Sequence, residues 1–392
     1  MNNNILNTGV QQFINENLNT DILSLLLKKS VFASVLSKEL VAQIEAKKKC
    51  RDKLPTWFQT KNIYYPNKLN IEQTSSEQTA IYKASIPTKN TLLDLTGGFG
   101  VDSYFFSKKM TAVVHCEIDD NLSKIAAHNF KILGANNIKT TPENGIDYLR
   151  KTELFFDWIY IDPSRRNDAK GKVFFLEDCL PNVPENLELI FNKSNAAFIK
   201  TSPLLDFSVG IKSLQYVKEI HVVAVRNEVK ELLWILEKNY KNSIQIKTIN
   251  LTKTETVHFN YTLENEKELL ITYNEPQLYV YEPNAAILKS GAFKSVAKRY
   301  GLHKLHEHSH LYTSNALLEF PGRRFLVKQT LSYSKKGLQG LKLHKANITT
   351  RNFPESVASI RKKHKIKDGG SNYLFFTTDC NNQKIVICCE KL

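Results

Sequence analysis

Midway along the chain an apolar run, Phe155–Ile161, ends in Asp162-Pro163-Ser164-Arg165-Arg166. A carboxylate carried there by a buried strand can accept a hydrogen bond from an amine or hydroxyl, or take its proton. Proline fixes φ and removes a donor, so Pro163 stiffens the loop and Ser164 shapes it. Arg165 and Arg166 add forked donors suited to phosphate or a base edge, Arg166 reading as the more exposed. An ordinary turn with a solvated arginine pair is the plainer alternative. Earlier, LLDLTGGFGVDS places Asp94, Thr96, Gly97, Gly98 and Gly100 in one turn after another apolar run. Such glycines let the backbone approach a ligand and present helix N–H groups to it. Gly98-x-Gly100-x-x-Ser103 could serve a dinucleotide. Asp94 inside the turn points instead to S-adenosylmethionine, whose sulfonium and ammonium want a nearby anion where a pyrophosphate does not. Glu117, followed by Ile118, ends the next apolar run and could accept the ribose hydroxyls of either ligand. Asn144 could face an adenine ring or simply cap a helix.

These residues need a scaffold. From Thr91 short apolar runs alternate with helical stretches: TLLDLT, VDSYFFSKK, TAVVHCEI, DNLSKIAAHNFKILGA, NIKTT, GIDYLRK, LFFDWIYI and LEDCLPNVPENLELIFN. AAFIK, LDFSVGIKSL, EIHVVAV and SIQIKTINL continue the pattern, with the amphipathic NEVKELLWILEK read as a helix. Six or seven strands alternating with helices predict an α/β protein with a parallel, doubly wound sheet. Ligands bind outside the carboxyl ends of such strands, where Asp162 would lie beside the glycine turn. Residues 1–55 read as helical, with Asp21 capping ILSLLLKKS and a break at LPTWF, and residues 56–88 as mixed and polar with no clear strand period. Beyond Lys253 a hairpin (TVHFNYTL, KELLITYN), a helix stopped by Gly301, and RRFLVKQTLS, ESVASIRKKHKI, YLFFTT and KIVICCE suggest small α+β units.

Six scattered cysteines form no Cys-x-x-Cys, which suits reduced thiols in a cytoplasmic protein. No apolar stretch is long enough to span a membrane, and MNNNILNTGVQQF does not resemble a secretory signal. The formal net charge is +15, and Glu275–Leu392 alone holds 20 Lys/Arg against 8 Asp/Glu. A regional excess of that size points to a polyanion, most simply nucleic acid.

In order, DLTGGFGVDS, CEID and YIDP resemble class I S-adenosylmethionine-dependent methyltransferases. Amino-directed members place an aromatic residue after Asp/Asn-Pro-Pro, and this chain has Ser164-Arg165 instead. Uracil-C5 enzymes resemble it in Asp-Pro-Pro-Arg but need a cysteine after the fifth strand, where this chain reads IKTSP, so covalent chemistry is disfavoured. A fuller resemblance runs through KKKCRDKLPTW, EQTSSEQTAIYKA, DPSRR, IKTSPLLD, RNEVKELLW, YEPNAAILKSGAF, HLYTS, KANITTRNFP and KDGGSNYLFFT. It is to a bacterial methyltransferase family with a helical N-terminal part, a ferredoxin-like unit and a C-terminal THUMP-like domain. The resemblance implies a helical region at 1–88 and a Rossmann-like methyltransferase domain of seven strands at 89–252. It further implies a ferredoxin-like unit at 253–320, a THUMP-like RNA-binding domain at 321–392, and tRNA or rRNA as partner. Asp162, Pro163, Ser164 and Arg165 become the catalytic candidates. Asp94, Thr96, Gly97, Gly98, Gly100, Glu117, Ile118 and Asn144 become the cofactor candidates.

Other features have two readings. Glu77, Gln78 and Tyr82 could line the pocket, or Ser75-x-x-Gln78 could begin a structural helix. Lys200 reads as a surface lysine, with phosphate contact as the alternative; Ser202 and Pro203 lie beside it. Asn227 and Glu228 are substrate contacts or a cap. Alternation would put His306, His308 and His310 on one strand face, with His303 nearby, but the spacing matches no zinc pattern and no metal is expected. IRKKHKIK is a basic helix facing phosphate or solvent. Two rival functions stand beside RNA methylation: methyl transfer to a protein or small molecule, and RNA binding by an inactive fold.

Overall fold

The computed structural model describes residues 1–26, 32–88, 90–165, 175–341 and 343–392. Arg166 and the end of ILSLLLKKS lie outside them. The chain divides into two compact units, Met1–Lys218 with Leu232–Lys241, and Glu219–Glu231 with Asn242–Leu392.

In the first unit the N-terminal helices include α1 (Ser37–Lys53) and α2 (Glu77–Ala84). The helix of α2 starts one residue later than the Ser75-x-x-Gln78 pattern proposes, because Ser76 is the side chain that caps Thr79 N–H. The strands follow as β1 (Thr91–Asp94), β2 (Ala112–Cys116), β3 (Ile138–Thr141), β4 (Phe156–Ile161) and β5 (Ser194–Thr201). They alternate with α3 (Val101–Ser107), α4 (Asp120–Ile132), α5 (Gly145–Lys151), α6 (Val183–Lys193) and α7 (Phe207–Ser213). Strand order is β5-β4-β1-β2-β3, all parallel. The expected doubly wound α/β fold is therefore present, and its order reverses direction at β1 and β4, where a crevice forms. The N-terminal helices bury Ile44, Cys50 and Trp57 in one cluster with Phe99, Tyr104, Leu122 and Phe130 of the α3–α4 region.

NEVKELLWILEK is a strand, not a helix. It contains the whole of β7 (Glu228–Glu237), reached from β6 (Val217–Val225) through Arg226 and Asn227, whose φ values are 51° and 65°. Two positive φ angles in succession suit a tight hairpin. From Leu232 on, β7 runs antiparallel to β5. Leu232–Leu236 are buried without a break, and a strand covered on both faces loses the alternation that would mark it.

The second unit holds β6 beside β8 (Gln245–Leu251), with β9 (Thr256–Thr262) antiparallel to β8. The expected hairpin partner KELLITYN is not a strand: a short helix, Leu263–Glu268, follows β9 directly. Its other sheet has seven strands: β10 (Tyr279–Pro283), β11 (His303–Lys304), β12 (Tyr312–Ser314), β13 (Gly322–Ser332), β14 (Asn347–Arg351), β15 (Asn372–Thr378) and β16 (Lys384–Lys391). Their order is β11-β12-β10-β13-β16-β15-β14. Phe375 and Ile387 enter one core and Leu374, Phe376 and Val386 another, so both faces of this sheet are covered. His306, His308 and His310 do not share a strand face, since the chain turns there and His310 has φ 55°. His306 is held by Asn382 and Asn352, and His310 stacks on Phe293 with ring centres 3.6 Å apart. Among the described residues no group of three His, Cys, Asp or Glu side chains is placed to hold a metal, and no helix is long and apolar enough to cross a membrane.

Candidate functional site

Asp94 closes β1 with its carboxylate buried. It accepts Thr96 N–H at 3.0 Å and the Ser103 hydroxyl at 2.6 Å. Burial pushes its pKa up to about 7 against the pull of those bonds, and the nearby Asp102 and Asp162 add to the rise. The turn after it needs its glycines. A Cβ on Gly97 would stand 2.2 Å from His115 Nε2, and Gly100, at φ 85°, has the Phe130 ring 2.4 Å from where its Cβ would be. Burial holds the His115 pKa down at about 4, so the imidazole packs there neutral.

Four backbone N–H groups of the turn are already committed. Thr96 N–H goes to Asp94, Gly97 N–H to the Cys116 carbonyl at 2.8 Å, and Gly100 N–H to the Gly97 carbonyl at 2.9 Å. Gly98 N–H goes to Glu117 at 2.8 Å, and the other Glu117 oxygen takes Asp119 N–H at 2.8 Å. A pyrophosphate would want those N–H groups free. What the cleft offers instead is carboxylate, from Asp94 at the turn and from Glu117 and Asp119 after β2. Asn144 caps α5 through Ile146 N–H at 2.9 Å and also lines the cleft.

At the end of β4, Asp162 N–H donates to Thr96 Oγ1 at 2.7 Å, which ties the Asp-Pro loop directly to the glycine turn. At the end of β5, the Lys200 ammonium forms an ion pair with the Asp162 carboxylate. Lys200 is only 15% exposed, so it is not the surface lysine the sequence suggests. The backbone of Ser164 and Arg165 pairs with Leu180 and Cys179.

Beneath these loops lies a charge network that no motif announced. Lys83 of α2, fully buried, sits 3.2 Å from the Asp102 carboxylate and donates to Ser75 at 2.7 Å. Ser75 and Tyr160 each donate to Asp102 at 2.8 Å. Burial works to raise the Asp102 pKa, but Lys83, Lys200 and the two hydroxyls outweigh it, and the net direction is down.

The glycine turn, the Asp-Pro loop and Lys200 face one cleft of about 710 Å³, the size of a small-molecule site. Of the residues singled out in the sequence, Asp94, Thr96, Gly97, Gly98, Glu117, Ile118, Asn144, Asp162, Pro163 and Ser164 line it, while Gly100 does not and acts through the backbone. From the segment before β1, the wall comes from Asn70, Gln73, Thr74 and Ser75 rather than from Glu77, Gln78 and Tyr82. Glu77 is spent on the backbone and hydroxyl of Thr56. Sequence reasoning missed the Asp162–Lys200 pair and Lys83–Asp102; the one available signal was that β4 and β5 would be neighbours.

The profile of a ferredoxin-like domain matches residues 279–321, and that of a THUMP domain-like unit matches residues 322–391. No curated protein matches the chain. A solved structure described as a "putative methyltransferase" from Porphyromonas gingivalis W83 is 33% identical, with a TM-score of 0.89 over 99% of this chain and 98% of that one. A modification subunit of a putative type I restriction enzyme from Vibrio vulnificus YJ016 (12% identity, TM-score 0.36, 52% of this chain and 57% of that one) is too distant to carry an argument. The same holds for an rRNA methylase from Streptococcus thermophilus (15%, TM-score 0.30, 41% and 94%). Full-length similarity to the P. gingivalis protein, together with the two C-terminal domain matches, places this chain in the bacterial class I methyltransferase family that carries ferredoxin-like and THUMP-like domains.

Proposed function

We propose that the chain transfers a methyl group from S-adenosylmethionine to a nucleotide of structured RNA, a tRNA or rRNA, directly and without a covalent enzyme intermediate. The observation that carries the reading is the bond from Asp162 to Thr96, which joins the acceptor loop and the glycine turn on one cleft. The carboxylates in that cleft suit a cationic ligand with a diol, and the committed N–H groups of the turn suit a dinucleotide poorly. When bound, S-adenosylmethionine supplies a methyl group made electrophilic by its sulfonium. Asp94 offers charge to the methionine end, with Thr96, Gly97, Gly98 and Gly100 shaping the turn. Glu117 and Ile118 hold the ribose, and Asn144 the adenine. Asp162 orients the acceptor and receives its proton, Pro163 and Ser164 form the wall beside it, and Arg165 anchors a phosphate. In-line transfer asks the protein mainly to align the acceptor and exclude water.

RNA as the acceptor is supported by the THUMP domain-like match at 322–391 and by the 20 Lys/Arg against 8 Asp/Glu from Glu275 onward. This reading assigns 1–88 to a helical region, 89–252 to the methyltransferase domain, 253–320 to the ferredoxin-like part and 321–392 to RNA binding, in a cytoplasmic protein. Mass spectrometry of nucleosides from a deletion strain and its parent tests it: one methylated nucleoside should vanish. With purified full-length protein, Asp162→Ala should abolish transfer while the cofactor affinity from calorimetry stays nearly unchanged. Normal turnover by that variant, or no cofactor binding by the parent, rejects the assignment.

A further inference from the structure

Asp162 follows the end of β4 and Lys200 is the penultimate residue of the neighbouring parallel β5, where Tyr160 pairs with Phe198 and Ile161 with Ile199. Their side chains therefore emerge side by side, in contact as an ion pair, and both line the cleft. The carboxylate is 33% exposed, and its backbone is fixed by Thr96. One of the two groups only accepts hydrogen bonds and the other only donates them.

Resting on the reading of methyl transfer to RNA, we propose that the acceptor atom is a hydroxyl oxygen, the ribose 2′-hydroxyl, held between Asp162 and Lys200. The argument is a count of hydrogens and lone pairs. Asp162 must face a donor, Lys200 must face a lone pair, and a further lone pair must point at the methyl group. A hydroxyl oxygen supplies all three on one atom. An exocyclic amine has hydrogens for Asp162 but no lone pair to spare for Lys200. A ring N–H beside a carbonyl could meet both side chains, but its nitrogen has no in-plane lone pair until the proton has gone. A carboxylate is an ordinarily weak base and poorly suited to that early removal. A neutral hydroxyl already has the attacking pair. As the new C–O bond forms, the S–C bond breaks and leaves a thioether, and the oxygen becomes acidic enough for a weak base. Its proton passes to Asp162, while Lys200, donating to the remaining lone pair, holds the oxygen in line with the methyl group.

The test uses the full chain, tritiated S-adenosylmethionine and total RNA from a deletion strain. A 2′-O-methylated linkage resists alkali because the blocked oxygen cannot attack the adjacent phosphate. Label is expected in alkali-stable dinucleotides, and 2′-O-methylnucleosides should be depleted in the deletion strain. Label in mononucleotides carrying a methylated base overturns the hydroxyl assignment but leaves RNA methylation standing. No label in RNA from a protein that binds the cofactor defeats both. Lys200→Met and Asp162→Asn should each slow transfer about 100-fold or more while cofactor affinity by calorimetry stays within about threefold. A collapse of cofactor affinity in either folded variant would instead make the pair part of the cofactor site and overturn the proposal.

Discussion

Asp94 is a residue whose chemistry its surroundings change. An ordinary aspartate ionises near 3.8, and here burial moves that to about 7. Because the folded value is raised, the stabilisation linked to the protonated form is complete below the unfolded pKa and is lost as pH climbs through about 7. Three units correspond to an upper bound on the order of 4 kcal/mol. Asp94→Asn should therefore melt above the parent at pH 8, with the gap closing at pH 5, as thermal unfolding at both values will show. A cation bound beside Asp94 reverses the preference, since it favours the carboxylate. S-adenosylmethionine affinity should thus rise between pH 6 and 8 with release of a proton, measurable by calorimetry in buffers of differing ionisation enthalpy. Asp102, though buried too, moves the other way because Lys83, Lys200, Tyr160 and Ser75 face it.

Between elements, the Lys83–Asp102 pair fastens α2 to α3, and the glycine turn fixes how α3 leaves β1. Lys83→Met would strand a buried carboxylate, a change that typically costs about 3–5 kcal/mol. Denaturant titration should show that loss, and adding Asp102→Asn should recover much of it, because the unpaired charge is then gone. Gly100→Ala meets both a positive φ and the Phe130 ring. It should destabilise by about 1–3 kcal/mol and weaken cofactor binding through displacement of the turn. The strand at NEVKELLWILEK belongs to this scale as well. Its six consecutive buried residues, Glu231–Leu236, carry no period of either kind, so only its partner β5 could identify it.

At the scale of the molecule, the ferredoxin-like and THUMP-like matches meet inside one sheet, where β10 pairs with β13 through Tyr279–Leu326 and Val280–Phe325. Residues 275–321 expressed alone should be unfolded by circular dichroism, because their central strand loses that neighbour and leaves an open edge. RNA affinity of the whole chain should fall on the order of 10²-fold or more between 50 and 200 mM salt as phosphate contacts release counterions. A flat salt response in filter binding would remove the basic C-terminal stretch from the binding account.

Taken alone, the sequence determined the alternation of strands and helices, the glycine turn, the Asp-Pro loop and the regional charge. Each of these is local: a turn needs glycine where φ is positive, and a strand ending in Asp162 announces itself by its apolar run. Only the tertiary structure decided that Lys200 meets Asp162, that Lys83 reaches Asp102, and that Gln73 and Thr74 rather than Gln78 and Tyr82 wall the cleft. Those contacts join residues far apart in the chain, and burial at both faces or beside a charge partner leaves no periodic trace in the order of amino acids.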